Sequence, residues 1–176
     1  MNSKQKAIAQ GGLMVALALL LEYITLFIPK MPQGGKFISL GMIPLIIYSM
    51  AWGWKRGVLA GITFGLIYYQ VDPFFVHPAQ FVLDYPLAFA SVGLAGLVKP
   101  DDKAWKVSLV IFIVCLVRFL AHFLSGIIFF QAFAKEVDNP WLYSMIYNGT
   151  FIIPTTIACI LIVPPVAKRI RDGVRS

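Results

Sequence analysis

The chain has 176 residues, of which 59% are apolar and only 13% charged, with a formal net charge of +7. A soluble domain carries roughly half apolar residues and about a quarter charged ones, so a water-soluble globular enzyme, a disordered tail and a nucleic-acid binder are all excluded. The composition is that of an integral membrane protein, with its positive charges in short clusters between apolar runs, as cytoplasmic loops carry them.

A bilayer core about 30 Å thick takes about 20 helical residues, and fewer where neighbours cradle a helix. The opening MNSKQK resembles the charged part of a signal peptide. The apolar stretch behind it, however, runs on to Ile28, contains Glu22 and offers no clear cleavage site, which predicts a retained helix. This first span covers about 7–28 and stops at Pro29-Lys30-Met31-Pro32. The second (39–54) and third (57–70) are short and separated only by Lys55-Arg56. The fourth (79–98) ends at Lys99-Pro100, and the fifth occupies 104–133. The sixth (140–163) is capped by Asn139, opened by Pro140 and closed by Pro164-Pro165.

The predicted fold class is therefore all-α, a six-helix membrane bundle forming one domain over 1–176. With both termini inside, the inner segments hold Lys4, Lys6, Lys55, Arg56, Lys99, Lys103, Lys106, Lys168, Arg169, Arg171 and Arg175. The outer ones hold Lys30, Lys36 and Lys135. Eleven against three sets the orientation N-in and C-in. Cys115 and Cys159 lie inside apolar runs and read as reduced thiols. Gly57, Gly61 and Gly65 recur every fourth residue, a pattern that lets helix backbones approach, and read as internal packing. Gly12 and Ala16 repeat that spacing, with internal packing and docking of a separate protein equally open.

Ionisable side chains in a membrane require a partner or a water-filled cavity. Glu22, Asp84, Arg118 and His122 are such residues, and with Tyr143 and Asn148 they cluster in the outer half of the bilayer. Arg118, His122, Ser125 and Phe129 share one helical face, as do Asp84, Ala88, Ser91 and Ala95, while Pro86 bends the fourth helix or marks its first turn. Tyr143 and Asn148, five apart, do not point the same way on an ideal helix. Several bland readings stand beside a functional one. Asp84 pairs structurally with Arg118, His122 is a packing residue, and Glu22 and Arg118 are structural or interfacial. Phe74, Phe75, Tyr85 and Phe130 are singly core or interface-belt residues; around a carboxylate they form a cage for a flat organic cation.

Enzymatic devices are missing. No G-x-x-x-x-G-K-[ST] loop, H-E-x-x-H or zinc-spaced Cys/His set occurs, so neither ATP use by the chain itself nor a metal site is expected. Ser125 lies three residues from His122 without a third group or oxyanion device, so no catalytic residues are assigned.

The segment Leu83-Asp84-Tyr85, the run from Arg118 through His122-Phe123-Leu124-Ser125-Gly126-Ile127-Ile128-Phe129, Tyr143 through Asn148-Gly149, and Ser39 to Pro44 together resemble the thiamine-specific substrate-binding (S) component of energy-coupling factor transporters. The resemblance extends over nearly the whole chain. It implies a six-helix bundle in a bacterial plasma membrane that binds one thiamine near its outer face without a cofactor. The implied site comprises Asp84, Tyr85, His122, Gly126, Phe130, Tyr143 and Asn148. Tyr85 and Phe130 stack on the ligand, while His122, Tyr143 and Asn148 orient it. Asp84 stands where the family has Glu, and Phe130 where it has Trp. A second Trp is absent near Gly35-Lys36-Phe37, leaving Phe37 and Phe74 as stacking substitutes. The implied partners are a shared membrane coupling subunit, docked at Gly12-x-x-x-Ala16, and two cytoplasmic ATPases. Three rivals remain: an S component for another vitamin or precursor, a small membrane hydrolase built on His122 and Ser125, and a non-transport helix scaffold.

Overall fold

A computed structural model describes residues 2–28, 31, 36–131 and 139–175, with side chains to Arg169. Helix α1 (Ser3–Thr25) starts four residues before its predicted span, at a reciprocal cap. The Asn2 side chain accepts from the Gln5 N–H at 2.9 Å, and the Gln5 side chain accepts from the Asn2 N–H at 3.0 Å. Periodicity missed this start because the capping residues are polar. Of the predicted stop after Ile28, Pro29, Lys30 and Pro32 lie outside the described residues, as does Lys135.

Helix α2 (Met42–Trp52) has 11 residues, about 16 Å of helix, and is shorter than the predicted 39–54. Every residue from Met42 to Met50 is buried. An apolar helix enclosed on all sides is a core post, and α1, α3, α4 and α6 pack around this one. Helix α3 (Trp54–Val71) follows at once. The break falls at Gly53, at φ 86° and ψ 165°, and not at Lys55-Arg56, because this left-handed corner favours a residue without Cβ. Lys55 and Arg56 belong to the first turn of α3.

Helix α4 (Pro78–Leu97) is irregular. It runs as α-helix to Val82, widens into a π turn over Leu83–Leu87, returns to α, and tightens to 3-10 over Ser91–Leu97. Pro86 has no N–H to offer the preceding turn, and the wider turn accommodates it. Helix α5 (Ala104–Phe129) ends at Phe129, not at the predicted 133, and residues 132–138 lie outside the described ones. Helix α6 (Pro140–Arg175) opens as predicted, behind Asn139, whose side chain accepts from the N–H groups of Trp141 and Leu142. It does not stop at Pro164-Pro165. Both prolines sit inside a helix that continues to Arg175, because the loss of two N–H donors is tolerated in a packed membrane helix.

Among the described residues all regular structure is helical, and α1, α4, α5 and residues Pro140–Arg169 of α6 are long and apolar enough to cross a bilayer. The Tyr48 hydroxyl donates to Ala7 O at 3.0 Å and Trp52 Nε1 to Gln10 Oε1 at 2.7 Å, placing the start of α1 beside the end of α2. The glycine row of α3 faces α4: a Cβ on Gly61 would stand 2.1 Å from Phe89 O, and one on Gly65 2.6 Å from Tyr85 O. Cys115 and Cys159 are buried free thiols.

Candidate functional site

A chamber of about 300 Å³ opens between the helices, at the small end of the range for small-molecule sites. Its walls come from α1, α3, α4, α5, α6 and the connections before α2 and α4. Eight of the predicted residues line it: Phe74, Asp84, Tyr85, His122, Gly126, Phe130, Tyr143 and Asn148.

Asp84 sits on the π turn and bonds across to α5. Its Oδ1 lies 2.9 Å from His122 Nδ1, and its Oδ2 accepts from Ser125 Oγ at 2.9 Å and from Gln80 Nε2 at 2.7 Å. Arg118 Nε donates to His122 Nε2 at 3.4 Å. A guanidinium only donates, so Nε2 is the accepting nitrogen and the imidazole proton lies on Nδ1, toward the carboxylate. All three bonded partners of Asp84 are therefore uncharged. The alternative of an Asp84–Arg118 pair is not what forms, because Arg118 turns elsewhere. Its Nη1 donates to Ser39 Oγ at 3.1 Å, and its guanidinium lies 4.3 Å from the Phe89 ring centroid.

A second polar group surrounds Glu22, which is 1% exposed. Lys36 Nζ reaches its Oε2 at 3.1 Å, the Gly41 N–H donates to Oε1 at 3.0 Å, and Ser39 Oγ also donates to Oε1. Lys36 additionally lies 4.6 Å above the Tyr68 ring centroid. Glu22 and Arg118 thus hold structure, as expected, yet both also face the chamber.

The aromatic residues divide into two roles. Phe74 stacks on Phe130 with centroids 5.6 Å apart and planes at 23°, joining the α3–α4 rim to the end of α5. Tyr85 differs from its expected stacking role. It is 6% exposed, its ring is packed among Tyr69 and Phe81, and its hydroxyl donates to Asp72 O and accepts from the Phe74 N–H, each at 3.0 Å. Phe37 lies outside the chamber lining and is 41% exposed. Its chain neighbour Lys36 is drawn inward by Glu22, which leaves Phe37 directed away. Phe75 is likewise outside the lining.

Helix α6 brings Tyr143 and Asn148 to the same chamber despite their spacing. Asn148 Nδ2 donates to Ser144 O at 2.9 Å and to His122 O at 3.3 Å, which anchors that side chain against α5. Gly126 makes the approach possible, since a Cβ there would stand 2.1 Å from Ser144 Oγ. Sequence reasoning missed Lys36, Ser39, Tyr68, Gln80, Tyr147 and Phe151 as lining residues. Helical spacing held a signal for three of these: Gln80 lies four before Asp84, and Tyr147 and Phe151 lie four and eight after Tyr143. Lys36 and Ser39 come from a connection without periodicity.

The chemistry is that of holding a molecule. Ser125 donates to Asp84 and not to His122, so no Ser–His nucleophile is assembled. Among the described residues no group of three His, Cys, Asp or Glu side chains is placed to hold a metal. Gly12 and Ala16 lie on the exposed face of α1, away from the chamber.

Comparison with known proteins agrees with this architecture. The sequence pattern of the thiamine transporter protein family (Thia_YuaJ) matches residues 8–172. The thiamine transporter ThiT of Bacillus subtilis (strain 168) is 34% identical over 163 residues, covering 86% of this chain and 84% of that protein. ThiT of Lacticaseibacillus paracasei is 28% identical over 173 residues, covering 89% and 84%. The solved structure of ThiT from Listeria monocytogenes superposes with a TM-score of 0.83 at 21% identity over 96% of both chains, a likeness of fold. With its membrane helices, its walled chamber and a family pattern covering nearly its full length, this multi-pass membrane protein belongs to the thiamine transporter protein family.

Proposed function

We propose that the chain is the thiamine-capturing membrane subunit of an energy-coupling factor importer and that the chamber holds the vitamin. The observation carrying this reading is Asp84, a carboxylate on the wall of an aromatic-lined chamber whose bonded partners are all uncharged. A buried charge without a counter-charge is costly, and a bound organic cation supplies one where water screens little. Thiamine fits that chemistry, with a permanently charged flat thiazolium and an aminopyrimidine that donates and accepts hydrogen bonds. The Phe74 and Phe130 rings offer faces to the cation, a contact worth about 2 kcal/mol or more when desolvated. His122, Tyr143 and Asn148 supply directional polar groups, and Gly126 keeps the wall low. Tyr85 acts by holding the rim.

The partners follow from the same reading. A membrane coupling subunit docks along α1, where Gly12 and Ala16 are exposed and a Cβ on Gly12 would meet nothing within 4 Å. Small residues allow such close helix contact in lipid. Two cytoplasmic ATPases supply the energy that this chain has no motif to harvest.

Calorimetric titration of the purified protein with thiamine tests the proposal. A saturable heat at micromolar ligand is expected, and its absence overturns the substrate. Asp84→Asn removes the charge and keeps the shape, and is expected to weaken binding at least tenfold, about 1.4 kcal/mol. Unchanged affinity removes Asp84 from the site.

A further inference from the structure

Gln80 is 1% exposed, and burying an amide is costly unless its polar atoms are bonded. Every one of them is used. Nε2 donates to Asp84 Oδ2 at 2.7 Å and to Phe74 O at 3.3 Å, while Oε1 accepts from the Val76 N–H at 3.1 Å. The two N–H groups of the amide go to different places, one to the anion and one to the rim. Tyr85 holds the same rim from the next turn of α4 through its bonds to Asp72 O and the Phe74 N–H. The rim ends in the Phe74 ring, stacked on Phe130.

We propose that Gln80 is a positioning residue that sets the Asp84 carboxylate and the α3–α4 rim together, so that the anion faces the ligand only when the rim is in place. The inference rests on the reading of Asp84 as the counter-charge for thiamine. Ser125 and Gln80 both donate to Oδ2 and so keep Oδ1 toward His122. A leucine at position 80 fills similar space but leaves the Val76 N–H, the Phe74 carbonyl and one carboxylate lone pair without this partner.

Two variants, titrated with thiamine beside the unaltered protein at pH 8.5 and pH 6, test the role. Gln80→Leu is expected to weaken binding at least tenfold. Gln80→Glu sets two carboxylates side by side and is expected to bind poorly at pH 8.5. Adjacent carboxylates share one proton as pH falls. The shared proton restores an O–H donor to Asp84 Oδ2 and an acceptor for Val76, at the charge of the unaltered pair. The ratio of variant to unaltered Kd should therefore narrow at least tenfold at pH 6. The other ionisable groups around the chamber are Asp72 at the rim, Tyr68 from α3, Tyr85 from α4, His122 and Arg118 from α5, Tyr143 and Tyr147 from α6, and the Glu22–Lys36 pair. They are common to both proteins, and His122, which touches Asp84, is controlled by repeating the comparison in a His122→Gln background, where the narrowing is expected to persist and its loss overturns the role. A purely space-filling Gln80 predicts near-normal binding by Gln80→Leu or a ratio that does not change with pH, and either result overturns the role while leaving Asp84 in place. No thiamine binding by the unaltered protein, or full binding by Asp84→Asn, overturns the reading of Asp84 and this inference with it.

Discussion

Asp84 has a short side chain, and it still reaches α5. It lies 2.9 Å from both His122 Nδ1 and Ser125 Oγ because the π turn carries its backbone beside that helix. The residues legible in the sequence were those whose presence in a membrane is anomalous: an acid, a histidine and an arginine at helical spacing. Ser39 is an ordinary polar residue that only its burial marks, while Gln80 is marked by its burial and by its place one turn before Asp84. Tyr85 lines the chamber, and the bonds of its hydroxyl to the rim carry no signal in the sequence. Tyr85→Phe keeps the packed ring and takes away the partner of Asp72 O and the Phe74 N–H. A loss of about 1 to 3 kcal/mol is expected, visible as a lowered thermal midpoint in detergent together with weaker thiamine binding. A variant indistinguishable from the unaltered protein in both would show that the rim does not depend on that hydroxyl.

At the scale of elements, apolar run length located all six helices and misplaced several ends. The cap at Asn2 and the left-handed corner at Gly53 set ends that apolar pattern does not signal, while the Asn139-Pro140 opening was legible as a cap. Pro86 could be read as an irregularity, but not its form as a π turn packed beside α3. The Gly65 backbone lies close enough that a Cβ there would stand 2.6 Å from Tyr85 O. The glycine row gives a contrast that measures this packing. Gly61→Ala improves helix propensity by up to about 1 kcal/mol, yet its Cβ would stand 2.1 Å from a backbone oxygen that cannot step aside. Overpacking should win, with a net destabilisation of about 1 to 3 kcal/mol in denaturation measurements. Gly12→Ala meets open space and is expected to be no less stable than the unaltered protein. Equal effects at the two sites would mean that α3 and α4 are not in backbone contact.

For the whole molecule, the chamber and the exposed stripe of α1 lie on different sides of one helix: Glu22 faces inward, and Gly12 and Ala16 face out. Capture and docking are therefore separable. Gly12→Trp is expected to abolish thiamine uptake in cells supplied with the coupling subunit and ATPases, while purified protein keeps its affinity. Loss of both would indicate misfolding, and normal uptake would place the docking surface elsewhere. Composition and apolar run length by themselves determined the membrane class and the helix count, and the rare polar residues marked Asp84 and His122, because burying charge in lipid is so costly that its placement is restricted. Tertiary structure alone decided the partners. Arg118 turned to Ser39 rather than to Asp84, His122 and Ser125 were brought to Asp84, and Asn148 was anchored against α5. Such choices depend on distances between helices far apart in the chain, which no local pattern of residues encodes.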